Sequence, residues 1–296
     1  MFTIKKLSEC KLEEAVAAWN TGFQGYFFDA TMDVDRFTTR LGLENLSTSL
    51  SIVAFDQQKP IGILLSGVKT VDGKKVAWNG GTGVATEYRR KGIGKLLIDK
   101  ALEIYEEADV EVSTLEAITE NTKAISLYEK KGYKIVDEVV HLRCEEMPEF
   151  YGALDYQAVF TSAQESQYLP IYKHDTPWQS QWFSMKEGQA LQLVDIDGDT
   201  VAYGLFKREF DEDGTLKSVT VTHCYIQEGK GNPDYLIDSL FSYLFPPSSI
   251  NYVCTVAFFA TSNKRVHQFL LDKGFTKRVG QVWMKKAIKE GIQGGV

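Results

Sequence analysis

The chain has 296 residues, enough for two cores of about 150 residues each and long for one. With 44% hydrophobic and 25% charged residues and only 7 prolines, it has an ordinary globular composition, which excludes disordered, collagenous and coiled-coil classes. Its 40 acidic residues outnumber 33 basic ones, and the formal charge of -7 argues against general binding to nucleic acid or to an anionic membrane, both of which need a net basic face.

The N-terminal MFTIKKLSEC holds no signal-peptide core, and no later run approaches the roughly 18 apolar residues that span a bilayer, so a cytoplasmic protein is expected. Cys10, Cys144, Cys224 and Cys254 stand far apart with no CxxC pair, so neither a metal site nor a disulfide framework is expected.

Leu12 to Phe28 reads as helical but is interrupted by Gly22 and Gly25. TSLSIVAF and PIGILLSGV alternate as strands across a polar turn from Asp56 to Lys59, which makes a hairpin. A second turn, Val71 to Lys74, leads into a strand over Val76 to Thr86. Ile93, Leu96, Leu97, Ala101 and Ile104 then recur at helical spacing. Val110 to Ile118 returns as a strand, Asn121 to Lys131 forms a short helix, and Gly132 caps it before the strand that begins at Tyr133.

The pattern occurs twice. Gly62 and Gly204, Leu102 and Leu244, Asn121 and Asn263, Lys131 and Lys273, and Gly132 and Gly274 all stand 142 residues apart. The expected organisation is α/β, with two tandem copies of one domain, each a central, mostly antiparallel twisted mixed sheet flanked by helices. The copies are expected over residues 1–145 and 155–296, with a connector over 146–154 that contains Pro148 and Gly152.

Chemistry concentrates in Arg89-Arg90-Lys91-Gly92-Ile93-Gly94, between a strand and a helix. Glycines there admit a phosphate close to backbone amides, the helix N-terminus adds partial positive charge, and three cations surround it. The loop lacks the Gly-Lys-Ser/Thr of a Walker sequence, and Leu97 replaces the third glycine of GxGxxG, so nucleoside triphosphates and dinucleotides fit poorly.

With the preceding Val84-Ala85-Thr86-Glu87-Tyr88, this sequence resembles the signature of the GCN5-related N-acetyltransferase (GNAT) family, V-x-P-x-[YF] followed by R/Q-x-x-G-x-G/A, with Thr86 in place of the usual proline. Asn121, Tyr128 and Gly132-Tyr133 match the family's later Asn, Tyr and Gly-aromatic positions. The resemblance covers Leu50 to Val140 and implies acetyl transfer from acetyl-CoA, with no metal, to an amine of a small molecule or peptide. It implies that Gly83, Val84 and Thr86 line the pantetheine arm and that the 89–95 loop, with Gly92, Ile93, Gly94 and Lys95, holds the pyrophosphate. By the same resemblance the Thr82 amide polarises the thioester, Asn121 fixes the pantetheine or its own helix, and Tyr128 is the general acid. Taken singly, the glycines serve a turn, Asn121 caps a helix and Tyr128 packs a core equally well; it is their combination that points to a CoA site.

The second copy has Gly231, Pro233, Asp234, Leu236 and Leu270 where the first has Arg89, Lys91, Gly92, Gly94 and Tyr128, so no CoA is expected there. For the acceptor side, Trp19, Phe23, Tyr26, Phe27 and Phe28 with Asp29, Asp33 and Asp35 read either as packing plus solvated carboxylates or as a cleft for a cationic amine. No histidine cluster identifies a general base; a water, Glu87 or the Asp29 to Asp35 region stays open. A non-catalytic acyl-CoA sensor or interaction protein is the competing reading.

Overall fold

The computed structural model describes residues 2–152, 155–247 and 251–289; Ala153 and Leu154 of the expected connector and the tail from Glu290 lie outside the described residues. Two compact units result: Met1–Val136 together with the chain from Trp283 on, and Asp137–Val282. No helix among the described residues is long and apolar enough to cross a membrane.

In the first unit, β1 (Phe2–Lys6), β2 (Ile52–Asp56), β3 (Lys59–Val71) and β4 (Lys74–Val84) pair antiparallel in sequence order, and β5 (Val112–Ile118) lies parallel to β4. The β2–β3 turn carries Gln57 at φ 56° and the β3–β4 turn Asp72 at φ 49° followed by Gly73 at φ 73°, left-handed positions suited to tight reversals. Two helices, α1 (Leu12–Gly22) and α2 (Val34–Leu43), occupy the stretch between β1 and β2. The second is unanticipated by the apolar periodicity. It begins because Asp33 accepts the Arg36 amide at 2.8 Å as an N-cap, and its single buried residue is Phe37. Helix α3 (Ile93–Glu107) buries Ile93, Leu97, Ile98, Ala101, Ile104 and Tyr105, and α4 (Thr122–Lys130) starts at Asn121, whose side chain accepts the Ala124 amide at 3.3 Å. It ends at Gly132, φ 86°, with the Tyr133 amide returning to the Tyr128 carbonyl.

The second unit repeats the order. Strands β7 (Gln157–Ser162), β8 (Gln189–Val194), β9 (Thr200–Phe210) and β10 (Leu216–Ile226) pair antiparallel, and β11 (Val253–Ala260) lies parallel to β10. Helices α5 (Pro233–Leu244) and α6 (Lys264–Asp272) follow β10 and β11 as α3 and α4 follow β4 and β5. Leu236, Leu240, Phe241 and Leu244 of α5 pack with Val201, Phe206, Val219, Val221 and Leu270 in its core. Short 3-10 turns, Ala163–Tyr168, Trp178–Ser180 and Trp182–Ser184, stand where the first unit has α1 and α2.

Sequence copies and compact units do not coincide. β6 (Lys134–Cys144) belongs by sequence to the first copy, yet its Asp137–Cys144 portion lies in the second unit, antiparallel to β11. β12 (Thr276–Ala287) ends the second copy, yet from Trp283 onward it lies in the first unit, beside β5. The division thus differs from the expected 1–145 and 155–296 at both final strands.

Candidate functional site

β4 and β5 pair only from Val76↔Val112 to Asn79↔Leu115, then part. At the point of parting the β3–β4 register slips between Leu65 and Ser66, leaving Gly80 as an extra residue between Asn79 and Gly81. Arg40 pins this bulge: its Nη2 donates to the Gly80 carbonyl at 2.6 Å while its guanidinium stacks over Trp19 at 4.5 Å. The end of α1 presses close to the strand beyond, and a Cβ at Gly83 would come within 2.8 Å of the Phe23 ring and 3.0 Å of the Gly22 carbonyl carbon. That approach requires the glycine.

A polar knot forms beside the bulge. Asn79 Oδ1 accepts the Gly81 amide at 3.1 Å and the Thr82 hydroxyl at 3.1 Å, and Asn79 Nδ2 lies 2.9 Å from Thr82 Oγ1. Tyr128, on α4, is buried with its hydroxyl in hydrogen-bond contact with Thr82 and Asn79; burial raises its pKa above the ordinary phenol value, against the lowering effect of those two partners. Tyr26 joins from the α1–α2 loop, hydrogen-bonded to Asn121, and burial raises its pKa too. The phenol of Tyr128 therefore stays protonated throughout the neutral range.

From this knot a cavity of about 580 Å³ runs to the start of α3. Gly92 adopts φ 86° as the N-cap of that helix, and the first helical bond is Leu96 N–H to the Gly92 carbonyl at 2.9 Å. The amides of Ile93, Gly94 and Lys95 are thus first-turn donors without a helical acceptor, at the positive end of the helix dipole. A Cβ at Gly94 would meet only Leu127 at 3.5 Å and Val84 at 3.8 Å, so the helix itself leaves that surface open. A phosphate-bearing ligand with an extended arm fits this shape: donors and glycine at one end, an unpaired strand edge along the middle, a phenol at the other.

Thr82, Val84, Arg89, Arg90, Gly92, Gly94, Lys95, Asn121 and Tyr128 all line the cavity. Gly83 lies beneath Phe23, Ile93 is buried in the core, Thr86 opens an exposed 3-10 turn over Thr86–Tyr88, and Lys91 sits over the Tyr88 ring at 5.1 Å. Those four stand outside the cavity wall. Arg89 lines it with its guanidinium bonded to the carbonyls of Val84, Gly22 and Gln24. Glu87 is paired with Lys59 at 2.8 Å on the surface. Asp29 accepts from the Thr31 hydroxyl and, at 3.0 Å, from its amide, and these bonds lower its pKa; with Asp33 capping α2, two of the three loop aspartates have local structural work.

Two residues escaped the sequence reading. Asn79 sits in VAWNGGTGV, where only its place one residue before a glycine-rich bulge hints at a role. Glu116 stands on β5 one residue past the last β4–β5 pair, half-buried, with Oε2 accepting from Trp78 Nε1 at 2.7 Å; a charged residue inside an otherwise uncharged strand was the available signal.

Residues 11–133 match the family model described as acetyltransferase (GNAT) family. No curated protein matches the chain. Among solved structures, a GCN5-related N-acetyltransferase from Sphaerobacter thermophilus is similar over 98% of this chain and 97% of its own, at 14% identity and a TM-score of 0.64. A GCN5-related N-acetyltransferase from Anabaena variabilis matches 98% of this chain and 73% of its own, at 16% identity and TM-score 0.60. A tandem GNAT protein from the clavulanic acid biosynthesis pathway matches 99% of both chains at 12% identity and TM-score 0.62. At such identities the likeness shows the fold alone, which these structures share along nearly the whole chain. Over residues 11–133, with the signature at Arg89 to Gly94, the chain is similar to the acetyltransferase (GNAT) family.

Proposed function

We propose that the first unit binds one acetyl-CoA and passes its acetyl group directly to an amine of a small molecule or peptide held in the same complex, and that the second unit binds no CoA. The observation that carries this reading is the protonated, buried Tyr128 hydroxyl at one end of a cleft whose other end is the open N-terminus of α3. The residues divide the work. The first-turn amides of α3, with Arg90 and Lys95 beside them, hold the pyrophosphate. The free edge of β4 past Asn79 pairs with the pantetheine amides. Backbone donors at the bulge, oriented by Arg40 on the Gly80 carbonyl and Asn79 on the Gly81 amide, face the thioester oxygen as negative charge builds on it.

Tyr128 then supplies a proton to the departing sulfur. A phenol is a weaker acid than a thiol in water, and burial makes it weaker still, but the same dry cleft raises the basicity of the leaving thiolate. Glu116 is the carboxylate we assign to take the proton from the incoming ammonium, since it lies on the strand that flanks the opening and is held in place by Trp78.

Thiol release from acetyl-CoA across a panel of amines, with calorimetry of CoA on the whole chain, tests the reading. One CoA per chain and amine-dependent thiol release are expected. Binding without turnover for every amine class would favour a sensor instead, and two equivalent CoA sites would remove the assignment to the first unit alone.

A further inference from the structure

The second unit keeps a cleft at the position equivalent to the CoA cleft of the first. β10 and β11 pair only from Ser218↔Val253 to Val221↔Val256, and the β9–β10 register slips between Val221 and His223, so that Thr222 is the bulge residue, 142 positions after Gly80. A cavity of about 560 Å³ opens there, well within the range of small-molecule sites.

Its outer end rejects phosphate. Pro233 starts α5 and has no amide to offer, and Asn232 Oδ1 already accepts the Asp234 and Tyr235 amides. Arg265 is bound through two nitrogens to Asp234, each at 2.9 Å, and Lys230 is bound to Asp199 at 2.8 Å and Asp195 at 3.5 Å. Arg265 and Lys230 are thus neutralised by the protein's own carboxylates, and Lys173, the other cation on the wall, lies over the Tyr225 ring at 4.3 Å.

Its inner end is polar and unsatisfied. Thr222 Oγ1 is buried with no hydrogen-bond partner, His223 Nδ1 is buried with only the Ser180 backbone beside it and outside good hydrogen-bond geometry, and both residues line the cavity. The histidine's tautomer follows from its neighbours. Tyr203 Oη accepts the Lys173 amide at 2.9 Å, so its own proton is directed to His223 Nε2, 3.2 Å away, and Nδ1 carries the hydrogen. Burial, aided by nearby His174, pushes the His223 pKa down to about 3; the Ser180 backbone favours the protonated form without offsetting this. The imidazole is therefore a neutral donor. An unpaired Thr222 hydroxyl and a poorly satisfied imidazole N–H cost stability, which a ligand's carbonyl would recover.

We propose that this cleft is a second binding site, for an uncharged, phosphate-free, linear amide ligand whose carbonyl end is received by His223 Nδ1–H and the Thr222 hydroxyl and whose chain runs along the free edge of β10. Pantetheine is the probe. Calorimetry on the full chain with the first site saturated by CoA should show one further pantetheine per chain. Thr222→Val should weaken that event roughly tenfold, the size of one lost buried hydrogen bond, while raising the melting temperature of the ligand-free protein, because an unpartnered hydroxyl is removed. In the wild type, the His223 imidazole resonances should move on adding pantetheine and stay put on adding CoA alone. No second event, an undiminished one in Thr222→Val, a lowered melting temperature in that variant, or a second CoA bound in this unit would each overturn the proposal. Failure of CoA to bind at all would count against the function proposed for the first unit and leave the pantetheine event measurable by itself.

Discussion

Arg89 Nη2 donates to the carbonyl of Gly22 at 3.2 Å, and the same guanidinium holds Gln24 at 3.0 Å and Val84 at 2.9 Å, fastening the end of α1 to the end of β4. Its neighbour Arg90 lines the cavity from a left-handed position, φ 65°. Arg89→Ala should therefore lower thermal stability, on the order of 1 kcal/mol or more for charge-assisted bonds to backbone, and leave the salt dependence of CoA affinity nearly intact. Arg90→Gln should keep the melting temperature and flatten that salt dependence. Calorimetry from low to high ionic strength, with a melting curve for each variant, separates the two; a flattened response in Arg89→Ala would mean that its fastening role is secondary.

Gly92 and Gly94 separate in the same way. A methyl at Gly94 meets only ordinary contacts at 3.5 and 3.8 Å, so Gly94→Ala should melt as the parent does, yet it stands where a phosphate approaches and CoA affinity should fall tenfold or more. At Gly92 the space is open but φ is 86°, so Gly92→Ala should cost about 1–2 kcal/mol of stability through strain. Parent-like affinity in Gly94→Ala would show that the pyrophosphate lies elsewhere.

Local signals bring part of the candidate cavity's wall into view. Gly92, Gly94, Asn121 and Tyr128 are readable because turn, cap and helix spacing are written in adjacent residues, and the hairpins and α3 follow from alternation and periodicity. Three features were not readable. Helix α2 buries only Phe37, so its periodicity is faint, and the Asp33 cap that starts it looks like any loop carboxylate. Arg89 is indistinguishable in sequence from a phosphate ligand, because its partners Gly22 and Gln24 lie more than 60 positions away and act through their backbone. Which strand lies beside β5 or β11 is set by pairing far along the chain, and nothing local in β6 or β12 names it.

That last ambiguity has a consequence for fragments. Beside β5, the first unit uses the chain from Trp283: the Ile288 amide donates to the Glu111 carbonyl at 2.9 Å, and Lys289 pairs with Asp109 at 2.8 Å. A fragment of residues 1–145 would expose the edge of β5 and should aggregate or bind CoA poorly. Fusing residues 276–289 to its C-terminus should restore a cooperative melt. A 1–145 fragment that is monomeric and binds CoA as the whole chain does would contradict this composition of the unit.

Tyr128→Phe tests the acid. The ring stays in its packed position against Tyr133, 5.9 Å between centroids, and only the hydroxyl leaves; Asn79 and Thr82 retain each other as partners, so the fold and CoA affinity should hold. Turnover should fall by roughly 10² or more on the scale of general acid catalysis, in kcat rather than in KM for acetyl-CoA, because the bond matters mainly as the sulfur departs. Product release can mask part of the loss, so a single-turnover rate is the fairer measure. The pH behaviour follows from the sign of the shift. Burial raises the folded pKa of Tyr128 above 10, so its proton is present at every pH below that, and Tyr128 contributes no alkaline fall in activity before the protein itself is affected. Tyr105 and Tyr133, also raised by burial, favour the folded unit fully below pH 10 and lose that contribution as pH climbs past it. An activity limb near neutral pH therefore belongs to a group other than Tyr128. Glu116→Gln should lower kcat at saturating amine, while Tyr128→Phe should leave the midpoint of any such limb unchanged. An unaltered single-turnover rate in Tyr128→Phe would leave the hydroxyl as a packing partner of Thr82 and Asn79, with the thiolate protonated by water.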